Sequence, residues 1–417
     1  MSFRSFRKSL TRSALALAML GAAGIAAAEE TIKIAFVDPL SGPFANVGDF
    51  GLRHYRYLAE YFNERGGLNG KKLEIVPFDS KASAQEAALL LRQIADQGIR
   101  YITQGNGSHV AAALIEGIEK YNSRNPGKEM LLINYSAQNP ELTNEKCSFW
   151  HFRFDDDAAM KLHGITDYMA KQPDIKKVFL INQDYAFGHL VSSYARDMLK
   201  KKNPNIEIVG DVFHPIGKVK DFAPYVAQIR ASGADSVITG NWGNDISLLI
   251  KASAAAGLDV KYFAFSVGGL GSPTAIGEAG EGRVFQVTEW HLDLPIEENK
   301  PELDAFAKEF KRKYNYDYFF LRARTALEMV GAAMAKAGST EPLAVAKALE
   351  GMRYETPFGP AIMRTEDHQL LQPQYISKFT KDAKNDVENT GMGFVTVYRL
   401  DAEQVALPTT CKMKRPK

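Results

Sequence analysis

Short apolar runs alternate along this chain with longer stretches in which apolar residues recur every three or four positions. The first pattern predicts buried strands and the second predicts amphipathic helices. Strand patterns fall at 31–37, 73–77, 101–103 and 130–133, and helix patterns at 49–65, 83–97 and 110–121. Gly66-Gly67 and Gly98 stop the first two helices, glycine being the common residue just past a helix end. A second block repeats the rhythm, with helices at 158–171, 187–201, 222–231 and 247–256 alternating with strands at 177–181, 206–213, 236–239 and 262–265. Asp221 stands where the helix at 222–231 needs an N-cap. Three more helix patterns follow at 302–314, 322–337 and 343–350.

Strands alternating with helices of this length predict parallel sheets with right-handed crossovers. The expected fold class is therefore α/β, as two doubly wound, Rossmann-like domains. The late helices are expected to pack back on the first domain, which would make the domains discontinuous. The polar, basic tail from Leu407 is expected to lie along the surface.

Composition sharpens this picture at the N-terminus. Arg4, Arg7, Lys8 and Arg12 precede a short apolar stretch at 14–23, and Ala26-Ala27-Ala28 follows. That layout predicts a secretory signal peptide over residues 1–28, cut after Ala28, against the alternative of an uncleaved anchor. No cysteine stands at the cut, so no lipid anchor is expected there. Residues 1–28 hold four of the 51 basic residues and none of the 49 acids, so their removal leaves 47 against 49. The slight basicity thus belongs to export, and no basic stripe with interleaved aromatics marks a nucleic-acid partner. Removing 28 of 417 residues leaves 389, too many for one core and enough for two domains. The two cysteines, Cys147 and Cys411, are expected either to form a disulfide in an oxidising compartment or to be two buried thiols.

Catalytic signatures fail on spacing. The run from Gly66 to Lys71 has three residues between its glycines instead of the four of a phosphate loop, and no Ser or Thr follows the lysine. Gly105-Asn106-Gly107 lacks the third glycine of a dinucleotide fingerprint, and neither Gly-x-Ser-x-Gly nor His-Glu-x-x-His occurs. The histidines at 54, 109, 151, 163, 189, 214, 291 and 368 show no metal-ligand spacing. Asp155-Asp156-Asp157 reads more simply as acids at a helix start than as a cation site. No cofactor, metal or catalytic residue is expected.

Ligands of open α/β sheets bind beyond the carboxyl ends of the strands. After the third strand comes Gln104-Gly105-Asn106-Gly107-Ser108-His109, whose glycines let a ligand approach the backbone. Helix starts bind carboxylates, so Ser108 is expected to cap the helix, to contact a ligand, or both. Tyr135-Ser136-Ala137-Gln138-Asn139-Pro140 follows the next strand. In the second block Gln183-Asp184-Tyr185-Ala186-Phe187-Gly188 and Gly240-Asn241-Trp242-Gly243 occupy the same topological place. Tyr185 and Trp242 would give flat apolar walls with a polar edge, unless they are ordinary packing.

Several of these runs, in this order and spacing, carry a family resemblance. They include Leu40-Ser41-Gly42-Pro43-Phe44-Ala45, Gly48-Asp49 and Asn63-Glu64-Arg65-Gly66-Gly67-Leu68-Asn69-Gly70. Asn139-Pro140-Glu141-Leu142-Thr143, Asp184-Tyr185-Ala186-Phe187-Gly188 and Asp221-Phe222 complete the set. Over essentially all of the chain after residue 28, the sequence resembles type I periplasmic solute-binding proteins of the branched-chain amino-acid (leucine/isoleucine/valine) ABC importers. The resemblance implies two lobes joined by three crossing segments that close on a ligand by hinge motion. It implies a first lobe of 29–155 plus 286–366, a second of 156–285 plus 367–400, and a tail of 401–417. It also implies a periplasmic location, a small-molecule ligand and an ABC membrane permease as partners, and no enzymatic activity. A sensor domain of the same fold and an exported α/β enzyme are the rival readings.

The family's site transfers unevenly. Its carboxylate-binding serine matches Ser108, beside Asn106, and its backbone-contact position matches Ser136. Its threonine is replaced by Gln138, its early tyrosine by Val47 and its second-lobe tyrosine by Trp242. The acid that pairs with the ligand's ammonium falls on Val267, and no acid lies between Lys261 and Thr274. A buried ammonium without a counter-charge costs on the order of several kcal/mol. The expected ligand is therefore a carboxylate without an α-amine, aromatic or short aliphatic. Asp184 is the alternative counter-charge, and with it a branched-chain amino acid would fit.

Overall fold

In the computed structural model, which describes residues 31–416, the strand Thr31–Asp38 (β1) is buried along its second half, as a strand covered by helices on both faces must be. The expected signal peptide at 1–28 lies outside the described residues. After β1 come Ala45–Asn63 (α1), Lys72–Asp79 (β2), Ala84–Asp96 (α2), Tyr101–Gln104 (β3), Ser108–Asn122 (α3), Leu131–Asn134 (β4) and His151–Arg153 (β5). They form a parallel sheet in the order β2-β1-β3-β4-β5. Ser83 starts α2 by accepting the Glu86 N–H at its hydroxyl oxygen (3.3 Å).

The second block runs through Ala158–Ala170 (α4), Lys177–Gln183 (β6), Ala186–Lys202 (α5), Glu207–His214 (β7), Ala223–Ser232 (α6), Ser236–Thr239 (β8), Asn244–Ala255 (α7), Lys261–Ala264 (β9), Ser272–Ile276 (α8) and Val284–Thr288 (β10). The N-cap of α6 is Phe222 and not Asp221, whose carboxylate instead accepts the Ala223 N–H at 2.9 Å. Next come Leu294–Glu297 (α9), Pro301–Tyr314 (α10), Leu321–Ala337 (α11) and Pro342–Leu349 (α12). Phe306, Phe310, Leu327, Met334 and Leu349 from the last three share one core with Ile34, Ile102 and Leu132 of the first sheet. The late helices thus return to the first lobe.

Arg353–Thr356 (β11), Gly359–Met363 (β12) and Leu370–Leu371 (β13) make a small sheet, and Gln374–Thr380 (β14), Gly393–Leu400 (β15) and Ala402–Val405 (α13) end the chain. The second large sheet has the order β15-β14-β10-β9-β8-β6-β7. Its core is parallel, but β14 and β15 are antiparallel, so this sheet is mixed where a purely parallel one is expected from the alternation. The expected boundary at 285/286 cuts through β10, which pairs with β9 as far as Gln286 and with β14 as far as Thr288.

Three segments pass between the lobes, following β5, β10 and β13, and buried charges bind them together. Arg322 of α11 forms ion pairs with Glu289 (2.7 Å) and Asp155 (3.4 Å), and Lys161 of α4 pairs with Asp155 at 2.9 Å. Gln369 donates to the Asp155 carbonyl (2.8 Å) and Gln374 to the Asp156 carboxylate (2.9 Å). Burial works to raise the Asp155 carboxyl, but Arg322 and Lys161 hold it below its ordinary value. Asp156 is pushed up to about 7, mainly by burial. Of the three consecutive aspartates only Asp157 caps α4, accepting the Met160 N–H at 2.9 Å. Among the described residues no group of three or more His, Cys, Asp or Glu is placed to hold a metal ion.

Candidate functional site

Both sheets reverse their winding direction at one strand pair, β1/β3 in the first and β6/β8 in the second. Such a reversal leaves a crevice at the carboxyl ends of the strands. A cavity with about 700 Å³ of empty space, open solvent included, lies between the two crevices. Its first-lobe wall comes from α1 (Val47, Phe50), the β3–α3 loop (Gly105, Asn106, Gly107, Ser108), the loop after β4 (Ser136, Ala137, Gln138) and Phe319-Phe320. Its second-lobe wall is Tyr185, Phe187, residues 240–243, Phe265, Ser266, Gly269 and Leu270.

The β3–α3 loop is held from below. Asp38, at the end of β1, accepts the Asn106 N–H (2.9 Å), the Gly105 N–H (3.2 Å), the Asn106 Nδ2 (2.8 Å) and the Tyr135 hydroxyl. Burial raises this carboxyl to about 6 against the pull of those donors. Gly105 is required here for packing, because a Cβ would come within 2.4 Å of the Tyr135 ring. Gly107, at φ +93°, is the N-cap of α3. Ser108 is therefore the first helical residue and does not cap. Its hydroxyl oxygen accepts the Asn139 N–H (3.2 Å), which leaves its own proton to donate. Ser136 is alike: its oxygen accepts from Arg322 Nη2 at 3.3 Å. The first N–H groups of α3 have no intrahelical acceptors, and this end of the helix lines the cavity.

Gln138 donates from Nε2 to Asp155 (2.7 Å), which connects the cavity wall to the hinge charges. Trp242 Nε1 donates to the Tyr185 hydroxyl at 2.9 Å, orienting both rings. Asn106, Ser108, Ser136, Gln138, Tyr185 and Trp242 are thus brought together around one cavity. Asp184 and Val267 lie outside its lining. Asp184 is exposed and pairs with His189 (2.9 Å). Val267 is fully buried in the second-lobe core, while its neighbours Phe265 and Ser266 reach the cavity.

The sequence reading placed the runs that hold Phe187 and Asn241 at the site without giving either residue a role, and it missed Phe50, Phe265, Ser266, Phe319 and Phe320 as cavity residues. Phe319-Phe320 could have been found as an aromatic pair immediately ahead of a helix pattern. Among the described residues that line the cavity, none carries a charge. The lobes meet over its mouth. Phe44 stacks on Trp242 with ring centroids 4.4 Å apart, and Asn46 Nδ2 donates to Asn244 Oδ1 at 3.1 Å. Gly243 keeps Phe44 in reach, since a Cβ there would sit 3.1 Å from the ring.

Two doubly wound lobes, three crossings and a cavity between both switch points define a two-lobe protein that takes a small molecule between its lobes. Comparison with known proteins gives the family. Residues 31–384 match the family described as periplasmic binding protein. The Leu/Ile/Val-binding protein homolog 4 of Brucella abortus is 34% identical over 413 residues, covering 96% of each chain. A crystal structure of the leucine-, isoleucine-, valine-, threonine- and alanine-binding protein from Brucella ovis, in its closed conformation, superposes with a TM-score of 0.81. It is 32% identical and covers 93% of this chain and 100% of that one. A solute-binding protein of an ABC transporter from R. palustris, in complex with benzoate, shares the fold at a TM-score of 0.74 and 21% identity, covering 92% of this chain and 100% of that one. The chain belongs to the type I periplasmic binding proteins, in the branched-chain amino-acid group. Cys147 and Cys411 form a disulfide, with Cα atoms 5.7 Å apart.

Proposed function

We propose that the protein captures a small carboxylate lacking an α-amine and presents it, in the periplasm, to the membrane permease of an ABC importer. One observation carries the ligand class. The cavity offers hydroxyl protons from Ser108 and Ser136 and the start of α3, all suited to a carboxylate, and no acidic side chain lines it to pair an ammonium. The nearby acids are already engaged: Asp155 with Lys161 and Arg322, Asp38 with the β3–α3 loop, Asp184 with His189. The aromatic walls suit a ring or a short chain between the lobes. The related fold that holds benzoate in the R. palustris protein is compatible with this reading. The names of the 34%- and 32%-identical relatives favour the second reading, a branched-chain amino acid.

Contacts from both lobes drive closure, because only a ligand that binds the closed form better can shift the balance towards it. We take the lobes as 31–155 with 289–371 and 156–288 with 372–400, with β10 assigned to the second, and residues 1–28 as the export signal.

A thermal-shift screen tests the ligand. The panel holds leucine, isoleucine, valine, polar amino acids, and aromatic and aliphatic carboxylates. A ligand at 100 times its dissociation constant adds about 2.7 kcal/mol, a visible shift. Shifts with amine-free acids alone are expected. Shifts with leucine or valine and none with the acids would overturn the ligand class in favour of the second reading.

A further inference from the structure

Asn241 stands on the second-lobe wall of the cavity, between the last residues of β8 and Trp242, and is 1% exposed. Its backbone N–H is anchored on the Thr239 hydroxyl at 3.1 Å. Its side chain is not: neither Oδ1 nor Nδ2 has a hydrogen-bond partner. Among the described residues it is the one cavity-lining side chain with a buried, unpartnered polar atom, and both of its atoms are in that state. Buried amides almost always find partners, and leaving one unpaired is costly. Burial of this group in a cavity wall makes sense when the occupant completes it.

The chemistry of the occupant follows from what a carboxamide needs. Oδ1 needs a donor and Nδ2 needs an acceptor. A second carboxylate accepts only and would leave Oδ1 facing oxygen. An ammonium donates only and would leave Nδ2 unpaired, with no acid on the cavity wall to balance its charge. A neutral group that both donates and accepts satisfies the pair: a hydroxyl or a carboxamide. We infer that Asn241 is a specificity-determining residue that reads a hydroxyl or carboxamide on the ligand, away from the carboxylate held at Ser108 on the opposite lobe. This rests on the carboxylate reading above. It makes the ligand a two-ended molecule with one polar group for each lobe and an apolar or aromatic middle against the Phe and Trp rings.

The test is calorimetric, on the whole protein, with matched probes: benzoate against 3- and 4-hydroxybenzoate and 4-carbamoylbenzoate, and hexanoate against 6-hydroxyhexanoate. At least one substituted probe is expected to bind about tenfold more tightly than its parent, a difference of about 1.4 kcal/mol. In Asn241→Leu that preference disappears while the parent acid keeps its affinity within about threefold. The ligand-free variant melts at the wild-type temperature or above, because the carboxamide gives up no protein partner. A melting temperature more than about 5 °C lower without ligand would make Asn241 a structural residue and overturn the inference. So would equal affinity for parent and substituted acids, or a preference that survives in Asn241→Leu; either result leaves the carboxylate reading intact. Binding of leucine or valine with no response to any carboxylate, or no binding by any probe at millimolar concentration, overturns both.

Discussion

His54 sits behind the cavity wall and is locked in one tautomer. Its Nε2 accepts the Phe319 N–H at 2.9 Å, so Nδ1 must carry the proton that bonds the Phe50 carbonyl at 2.8 Å. It thereby joins two residues whose rings line the cavity. Burial lowers its pKa from 6.5 to about 3. Below pH 6.5 the folded protein binds fewer protons than the unfolded chain, so this contribution is complete above that pH and is lost as the pH falls towards 3. Between pH 7 and 4.5 the loss amounts to about 2.5 kcal/mol. His54→Gln keeps a donor and an acceptor without the titration. The stability gap between wild type and variant, measured by urea unfolding, is expected to narrow by about that amount over this range. A constant gap would mean that the folded protein protonates His54 freely. At this scale the sequence is legible where residue type and position coincide, as for Ser108 and Ser136 in polar loops after strands. Side-chain direction is not legible. Tyr185 is extended (φ −161°, ψ 174°), and successive extended residues face opposite ways. Tyr185 accordingly lines the cavity while Asp184 faces out to His189.

At the scale of elements, α3 illustrates how a helix start comes to line the cavity. Asp38 fixes the incoming loop, and Gly107 takes a left-handed φ of +93° that lets the chain turn into the helix. An alanine there is strained in backbone, and its Cβ would lie 3.2 Å from the His109 ring. Gly98, at φ +68°, has open space around the same position, so Gly98→Ala carries the backbone strain alone. Both substitutions are expected to cost about 1–2 kcal/mol of stability. Only Gly107→Ala should also weaken binding of the ligand found in the screen, by about tenfold or more. Equal affinities in the two variants would detach the loop from the site. The βα units were legible because a continuous apolar run followed by a 3.6-residue period repeats seven times before position 260. The later strands break that rhythm. No helix separates β14 from β15 and β11 is only partly buried, while the earlier β5 escapes the pattern because it is three residues long with His and Arg in it. Their pairing is decided by distant partners, such as β10 with β14, and no local pattern encodes that.

At the scale of the molecule, the chain crosses between lobes three times near the hinge charges, and the tail adds a fourth connection. After β15, α13 buries Ala402 and Val405 with Met160 of α4 in the second lobe. The chain then reaches the first lobe, where Thr409 donates to the Thr143 carbonyl (3.1 Å), Thr410 donates its N–H to Asn144 (2.9 Å), and Cys411 is bonded to Cys147. The tail therefore does more than lie on the surface: it ties the second lobe covalently to the first. The cysteine count made the bond legible, but four-residue α13 is too short to leave a periodic signal. A crosslink between residues 264 apart removes much freedom from the unfolded chain, so replacing both cysteines by serine should cost about 2–5 kcal/mol. The native-state consequence is separate. A covalent tie beside the hinge limits how far the lobes swing apart, whereas the closed form is already held by Phe44 on Trp242 and Asn46 on Asn244. Small-angle scattering should then give the double-serine variant a larger radius of gyration than wild type without ligand, and the same radius when ligand saturates both. Ligand affinity should fall as well, because closure must overcome a wider open ensemble. If the two ligand-free proteins scatter identically, the three crossings and their buried charges alone set the range of opening, and the disulfide acts only on the unfolded chain.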